Sequence, residues 1–140
     1  MNARAARPIL SVRDLDVVMH EGGNATRAVD KLQFDLHAGE ILALVGESGC
    51  GKSKTAEAIM GLIPPTAGTV SARRIQLDSR DITHLSESAM RRIRGKEISM
   101  VFQEPLTALD PVFSCGSQLS VLFRRHHAQS RKPVSYTHLR

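Results

Sequence analysis

One stretch constrains this chain more than any other. Residues Gly46-Glu47-Ser48-Gly49-Cys50-Gly51-Lys52-Ser53 read G-x-x-x-x-G-K-S, the pattern of a phosphate loop. Glycines at such spacing admit backbone angles that a side chain forbids, so successive N–H groups can turn inward around a polyphosphate. A helix starting near Lys52 adds its positive end. Lys52 supplies a mobile cation, and Ser53 offers a hydroxyl to Mg2+. With glycine at ordinary abundance, the bare pattern arises by accident in about one chain of this length in a few hundred. The context therefore matters: a loop that follows a buried strand and opens an amphipathic helix is what a working cradle requires. The candidate binding residues are Gly46, Glu47, Ser48, Gly49, Cys50, Gly51, Lys52, Ser53 and Lys54. Cys50 is read as a small filler and not as a reactive thiol.

The flanking sequence supplies that context. Ile9–Val18 is Val- and Leu-rich with partial alternation, which predicts a strand. His20–Arg27 is polar and Gly-rich, a loop or hairpin connection. Leu32–Leu36 alternates strictly, and His37–Glu40 is a turn. Ile41–Val45 is all apolar, as expected of a strand covered on both faces. Lys52–Ile63 predicts a helix with Ala56, Ile59, Met60 and Ile63 on one stripe, stopped by Pro64 and Pro65. Val70–Asp78 predicts a strand, Ser86–Gly95 a short helix, and Ile98–Phe102 a buried strand. Gln103 to Pro111 is a loop. Gly116–Gln129 predicts a helix with Leu119, Leu122, Phe123 and His126 on one stripe. His126 and His127 are adjacent, point to different helix faces, and do not suit one metal. This is an α/β order with an antiparallel addition at its front.

Composition bounds the function. The chain has 140 residues, enough for one modest core, and no apolar run long enough to span a bilayer. No secretory h-region follows the arginine-containing start. The two cysteines, Cys50 and Cys115, show no metal or disulfide spacing, which fits a reduced, cytoplasmic setting. The net charge is +5, but the basic residues are dispersed, and one Tyr with no Trp offers few stacking platforms. Nucleic acid is not an expected partner.

The stretch "AVDKLQFDLHAGEILALVGESGCGKSKTAEAIMGLIPPTAGTV" resembles the opening of an ATP-binding-cassette (ABC) ATPase. The later "RRIRGKEISMVFQEPLTALDPVFSCGSQL" narrows the resemblance to the ATPase subunits of peptide importers, the dipeptide, oligopeptide, nickel and glutathione group. It runs from about Ile9 to Lys132. The implied fold is a P-loop NTPase (RecA-like) core with an N-terminal antiparallel β subdomain, cut at the start of the helical subdomain near residue 112. The implied cofactors are ATP and Mg2+. The implied catalytic residues are Lys52 and Gln103; Ser53 and Gln103 would meet Mg2+, and Gln103 would also orient the attacking water. Implied partners are integral membrane permease subunits, a second ATPase subunit and, indirectly, an extracytoplasmic solute-binding protein. The implied location is cytoplasmic, peripheral on the inner face of the plasma membrane. Glu104 and Asp110 fall in the segment that would face the permease.

Three features depart from that family. Met19 or His20 stands where an aromatic residue usually stacks the adenine. No LSGGQ-type signature, no aliphatic run ending in Asp-Glu and no downstream switch histidine is found. Gln103 occupies the place where Ile98–Glu104 would need an Asp to imitate that run. Residues 133–140, "PVSYTHLR", read as a tail foreign to the family, the expected mark of a truncated gene. The expectation is therefore an importer ATPase fragment that binds nucleotide with little turnover. The alternatives are a P-loop protein of another class, kinase-like, or a non-catalytic fragment. The strands ahead of the loop weigh against a kinase, and the lack of an Asn-Lys-x-Asp element weighs against a GTPase.

Overall fold

The computed structural model describes residues 7–103 and 109–127, and the chain divides into two units, Met1–Ile93 and Arg94–Arg140. The first unit is built on a hairpin. Strand β1, Leu10–Glu21, and strand β2, Asn24–Leu36, pair antiparallel across a two-residue turn at Gly22 and Gly23. Both glycines have positive φ, 57° and 84°, the conformation that a tight right-twisting hairpin needs.

β1 is the spine of a five-stranded antiparallel sheet, with β2 along one side. Strand β3, Gly68–Ser71, pairs with the second half of β1 over Asp16–Met19. Strand β4, Arg74–Leu77, pairs with the first half over Leu10–Arg13, and β5, Arg80–Asp81, extends the edge. The single strand expected over 70–78 is thus two. The break at 72–73 lies opposite a bulge in β1. Between the pairs Val12↔Phe34 and Leu15↔Leu32, β1 carries one extra residue. Asp14 sits there with φ +50°, and its carboxylate takes the Arg73 guanidinium at 3.0 Å and the Gln33 side-chain amide. The same bulge explains the partial alternation of the sequence. It returns Leu15 to the face of Val12, and Val12, Leu15 and Val17 are all fully buried.

Helix α1, Lys52–Ile59, packs on β1 and β2 through Thr55, Ala58 and Ile59. It ends earlier than the prolines suggest. Gly61 at φ +61° donates to Ala58 O at 3.0 Å, and Leu62 donates to Glu57 O at 2.8 Å. These are the paired bonds of a Schellman ending, which closes a helix around a left-handed glycine. Helix α2, Glu87–Ile93, starts at Ser86, whose hydroxyl accepts from Ala89 N at 3.4 Å, and buries Met90 and Ile93.

The expected strands Ile41–Val45 and Ile98–Phe102 do not form. Residues 41–45 pair with no strand among the described residues, and Ile41 and Val45 are 95% and 90% exposed. A strand of a parallel sheet depends on neighbours at both edges and cover on both faces, and nothing described supplies either. In the second unit, Ile98 makes one isolated bridge to Arg94, and residues 99–102 have no ladder. Helix α3, Cys115–His127, follows a turn clamped by Gln118. The Gln118 amide accepts from Asp110 N and donates to the Asp110 and Phe113 carbonyls, each at 2.9 Å. Of the expected stripe, Leu119 and Phe123 are half-buried and Leu122 is exposed. The tail from 133 and the loop at 104–108, Glu104 included, lie outside the described residues, as does the side chain of His126.

Two carboxylates of the sheet tie stability to pH, and Glu40, which accepts from the His37 backbone and ring, is lowered likewise. The Arg13 guanidinium, 2.6 Å away, holds Asp35 below the usual carboxylate range. Hydrogen bonds from the Thr83 side chain and backbone do the same for Asp81. A depressed pKa means that the unfolded chain binds more protons as pH falls, so this stability is present above about pH 4 and lost on acidification below it. We expect the melting temperature to fall as pH drops from about 5 to 3, and Asp35→Asn to flatten that slope. Both members of the Arg13–Asp35 pair are about a third exposed, so the change is modest.

Candidate phosphate-binding site

The loop between residue 45 and α1 is shaped by its own backbone. Gly51 caps α1 with φ +90° and lies hard against β2. A Cβ at Gly51 would stand 2.0 Å from Ala28 O and 3.2 Å from Val29 Cγ2. Only a residue without a side chain can bring the helix start that close to the strand. Thr55 fastens the same point from the other side. Its buried hydroxyl donates to Gly51 O at 3.0 Å and its N–H to the same oxygen at 2.8 Å. Gly49 turns the loop with φ +83° in open space.

Lys52 folds back over the loop. Its ammonium donates to Gly46 O at 2.9 Å and Glu47 O at 2.5 Å, and approaches Cys50 Sγ at 3.3 Å. The Glu47 carbonyl also accepts from Cys50 N at 3.3 Å. One cation therefore gathers two carbonyls of the loop and ties Gly46 and Glu47 to the start of α1. No side chain caps α1, and its first turn carries no acid. The first N–H groups of α1 thus keep their capacity for an anionic partner. Ser53 is exposed beside them. Lys54 pairs with Glu57 of the same helix, with Nζ 2.8 Å from Oε2. Beside the loop, a cleft of about 210 Å3 is lined by Ala28, Val29, Asp30, Val45, Cys50 and Lys52, among others.

The expected residues from Gly46 to Lys54 thus share one loop-and-helix start, with Gly46, Glu47, Cys50 and Lys52 joined by direct contacts. Gln103 is exposed at a bend in the second unit. Met19 is half-buried and runs beside Gly68, where a Cβ would meet Met19 Sδ at 3.1 Å; exposed His20 shares a hydrogen bond with Thr69 Oγ1 at 3.1 Å. The Lys54–Glu57 pair and the Thr55 bond to Gly51 were missed in the sequence. The i,i+3 spacing of Lys54 and Glu57 on a helix was the available signal for the first.

The donor set suits a phosphate with its metal better than a metal alone. Ser53 is a single hydroxyl, and a hard cation needs several oxygens, which a polyphosphate brings. Among the described residues no group of three His, Cys, Asp or Glu side chains is placed to hold a metal, and no helix is long and apolar enough to cross a membrane.

Comparison with known proteins identifies the family. Residues 29–137 match the model of the ABC transporter family, a span that contains the loop, α1 and Gln103. The chain is 47% identical over 124 residues to the dipeptide transport ATP-binding protein DppD of Bacillus subtilis, covering 89% of this chain and 37% of that protein. It is 44% identical over 128 residues to the peptidoglycan transport ATP-binding protein YejF of Agrobacterium fabrum, covering 91% of this chain and 23% of that protein. It is 40% identical over 124 residues to the oligopeptide transport ATP-binding protein OppD of Bacillus subtilis, covering 89% and 35%. The chain thus spans little more than a third of these relatives at most. With a phosphate loop held against β2 and a family match over most of its length, the chain belongs to the ABC transporter family.

Proposed function

We propose that the chain is the nucleotide-binding part of an ATP-binding subunit that powers uptake of peptides or related small solutes. The observation that carries the reading is the pre-shaped loop: Gly51 seated on β2, with Lys52 gathering the Gly46 and Glu47 carbonyls. The relatives' names, for dipeptide, oligopeptide and glutathione systems, support the class of solute. Backbone N–H groups from Gly46 to Lys54 would hold the β- and γ-phosphates, and Lys52 would follow their charge. Ser53 would give its hydroxyl to Mg2+, which neutralises phosphate charge when bound. Gln103 carries an amide that both donates and accepts, the chemistry that orienting a water requires. Such a site works by positioning and by charge stabilisation of the transferring phosphoryl group. The permease, a second ATPase subunit and a solute-binding protein are the proposed partners, with the subunit on the cytoplasmic face of the membrane.

The 140 residues contain no aliphatic run ending in Asp-Glu to polarise water. The purified chain is therefore expected to bind Mg-ATP weakly and saturably, and to hydrolyse it little. Lys52→Ala removes a charge-assisted bond and should weaken binding at least about tenfold without moving the melting temperature. Calorimetric titration of both proteins checks this. Binding that ignores Lys52→Ala would overturn the site. Hydrolysis abolished by the same variant would overturn the expectation of little turnover.

A further inference from the structure

We infer that Glu57 restrains Lys54 and so weakens nucleotide binding at the loop; the inference rests on the phosphate-binding reading above. Lys54 is the third residue of α1 and the second lysine of its first turn, which holds no acid and no capping side chain. Side chains of a helix lean toward its N-terminus, so an unrestrained Lys54 reaches toward the loop end. Here its ammonium is held by a carboxylate instead. Its ammonium lies 2.8 Å from Glu57 Oε2, three residues further along the helix. The two side chains are 38% and 24% exposed, so the pair is only partly screened by solvent. Lys52 differs, because it rests on neutral carbonyls that compete little with a phosphate. A polyphosphate seated on the loop thus meets one available cation and one that Glu57 already neutralises. Glu57 sets how much of the positive end of α1 the nucleotide can use.

Glu57→Gln is nearly isosteric and releases the ammonium. Mg-ATP titration at about 20 mM salt should show roughly threefold tighter binding, the scale of one partly screened charge at short range. The gain should fade by about 0.5 M salt. Glu57→Asp, which keeps the charge and shortens the reach, should tighten binding less but in the same direction. The deciding comparison is the same Glu57→Gln change made on Lys54→Met, in a double-mutant cycle. Loss of the gain there supports the inference. A gain that survives without Lys54 overturns it, because the carboxylate then acts on the nucleotide directly. Unchanged binding in Glu57→Gln, with Lys52→Ala still strongly weakened, overturns the inference alone. Binding indifferent to Lys52→Ala overturns the site reading and the inference with it.

Discussion

Gly51→Ala is expected to abolish measurable Mg-ATP binding and to lower the melting temperature as well. Two independent effects combine at this residue. The backbone stands at φ +90°, where any L side chain costs about 1–2 kcal/mol. The new Cβ would also sit 2.0 Å from the Ala28 carbonyl oxygen, which is backbone in the middle of β2 and cannot rotate aside. Either α1 moves away from the hairpin or the hairpin bends. Moving α1 carries Lys52, Ser53 and the first N–H groups with it, so the loop loses its shape even in the fraction that stays folded. Neighbouring glycines give the internal controls. Gly49 shares a positive φ, +83°, but a Cβ there meets nothing within 4 Å. Gly49→Ala should therefore cost the strain alone and weaken binding far less. At Gly46 the obstacle is Cys50 Sγ at 2.5 Å, the end of a side chain that can turn away. Circular dichroism melts and Mg-ATP titrations of the three variants should rank Gly51 first by a wide margin. Equal affinities for Gly51→Ala and the parent chain would mean that the close seat on β2 is not what shapes the loop.

The contrast between these glycines was only partly legible in the sequence. The G-x-x-x-x-G-K-S spacing marked the loop, and the helix after it, because both signals are local: glycine freedom, a lysine and an apolar stripe. It could not say which glycine faces a strand, since Ala28 is distant along the chain. The hairpin was partly legible through alternation on both sides of a Gly-rich turn, but His20, Glu21 and Asn24–Arg27, expected in the connection, are paired strand, because backbone pairing carries polar residues as well as apolar ones. The Asp14 bulge was visible only as imperfect alternation, and the break between β3 and β4 lies opposite it, on a strand distant along the chain. The end of α1 was misread because two prolines are conspicuous, whereas Gly61 closes the helix first. Residues 41–45 and 98–102 have the composition of buried strands, yet composition states only what a strand would bury. Whether it forms depends on a neighbour to pair with. The antiparallel front of the fold carries its own partners close in sequence, and the expected parallel strands do not. The family resemblance, by contrast, was readable from two ordered motifs, and the match over residues 29–137 bears it out.

That difference between having a partner and lacking one gives a second large effect. Leu15 and Ile41 are both aliphatic residues expected in strands. Leu15 is fully buried, paired with Leu32 on one side of β1 and enclosed with Val12 and Val17. Ile41 is 95% exposed. Leu15→Ala removes transferred apolar surface and leaves a cavity, a loss of about 3 kcal/mol for a close-packed core. A unit this small is stable by only about 5–10 kcal/mol, so its melting temperature should fall by about 15 °C. Ile41→Ser removes no packed contact and should shift stability by less than about 0.5 kcal/mol. It should also slow aggregation, because it interrupts Ile41–Val45, a charge-free, β-prone run with unpaired backbone. Thermal melts followed by light scattering separate the two variants. If Ile41→Ser destabilises the chain as much as Leu15→Ala, the 41–45 run is covered in solution and the strand that the sequence suggests does form. If only Leu15→Ala does, the stability of the first unit resides in the antiparallel sheet and the helix it carries.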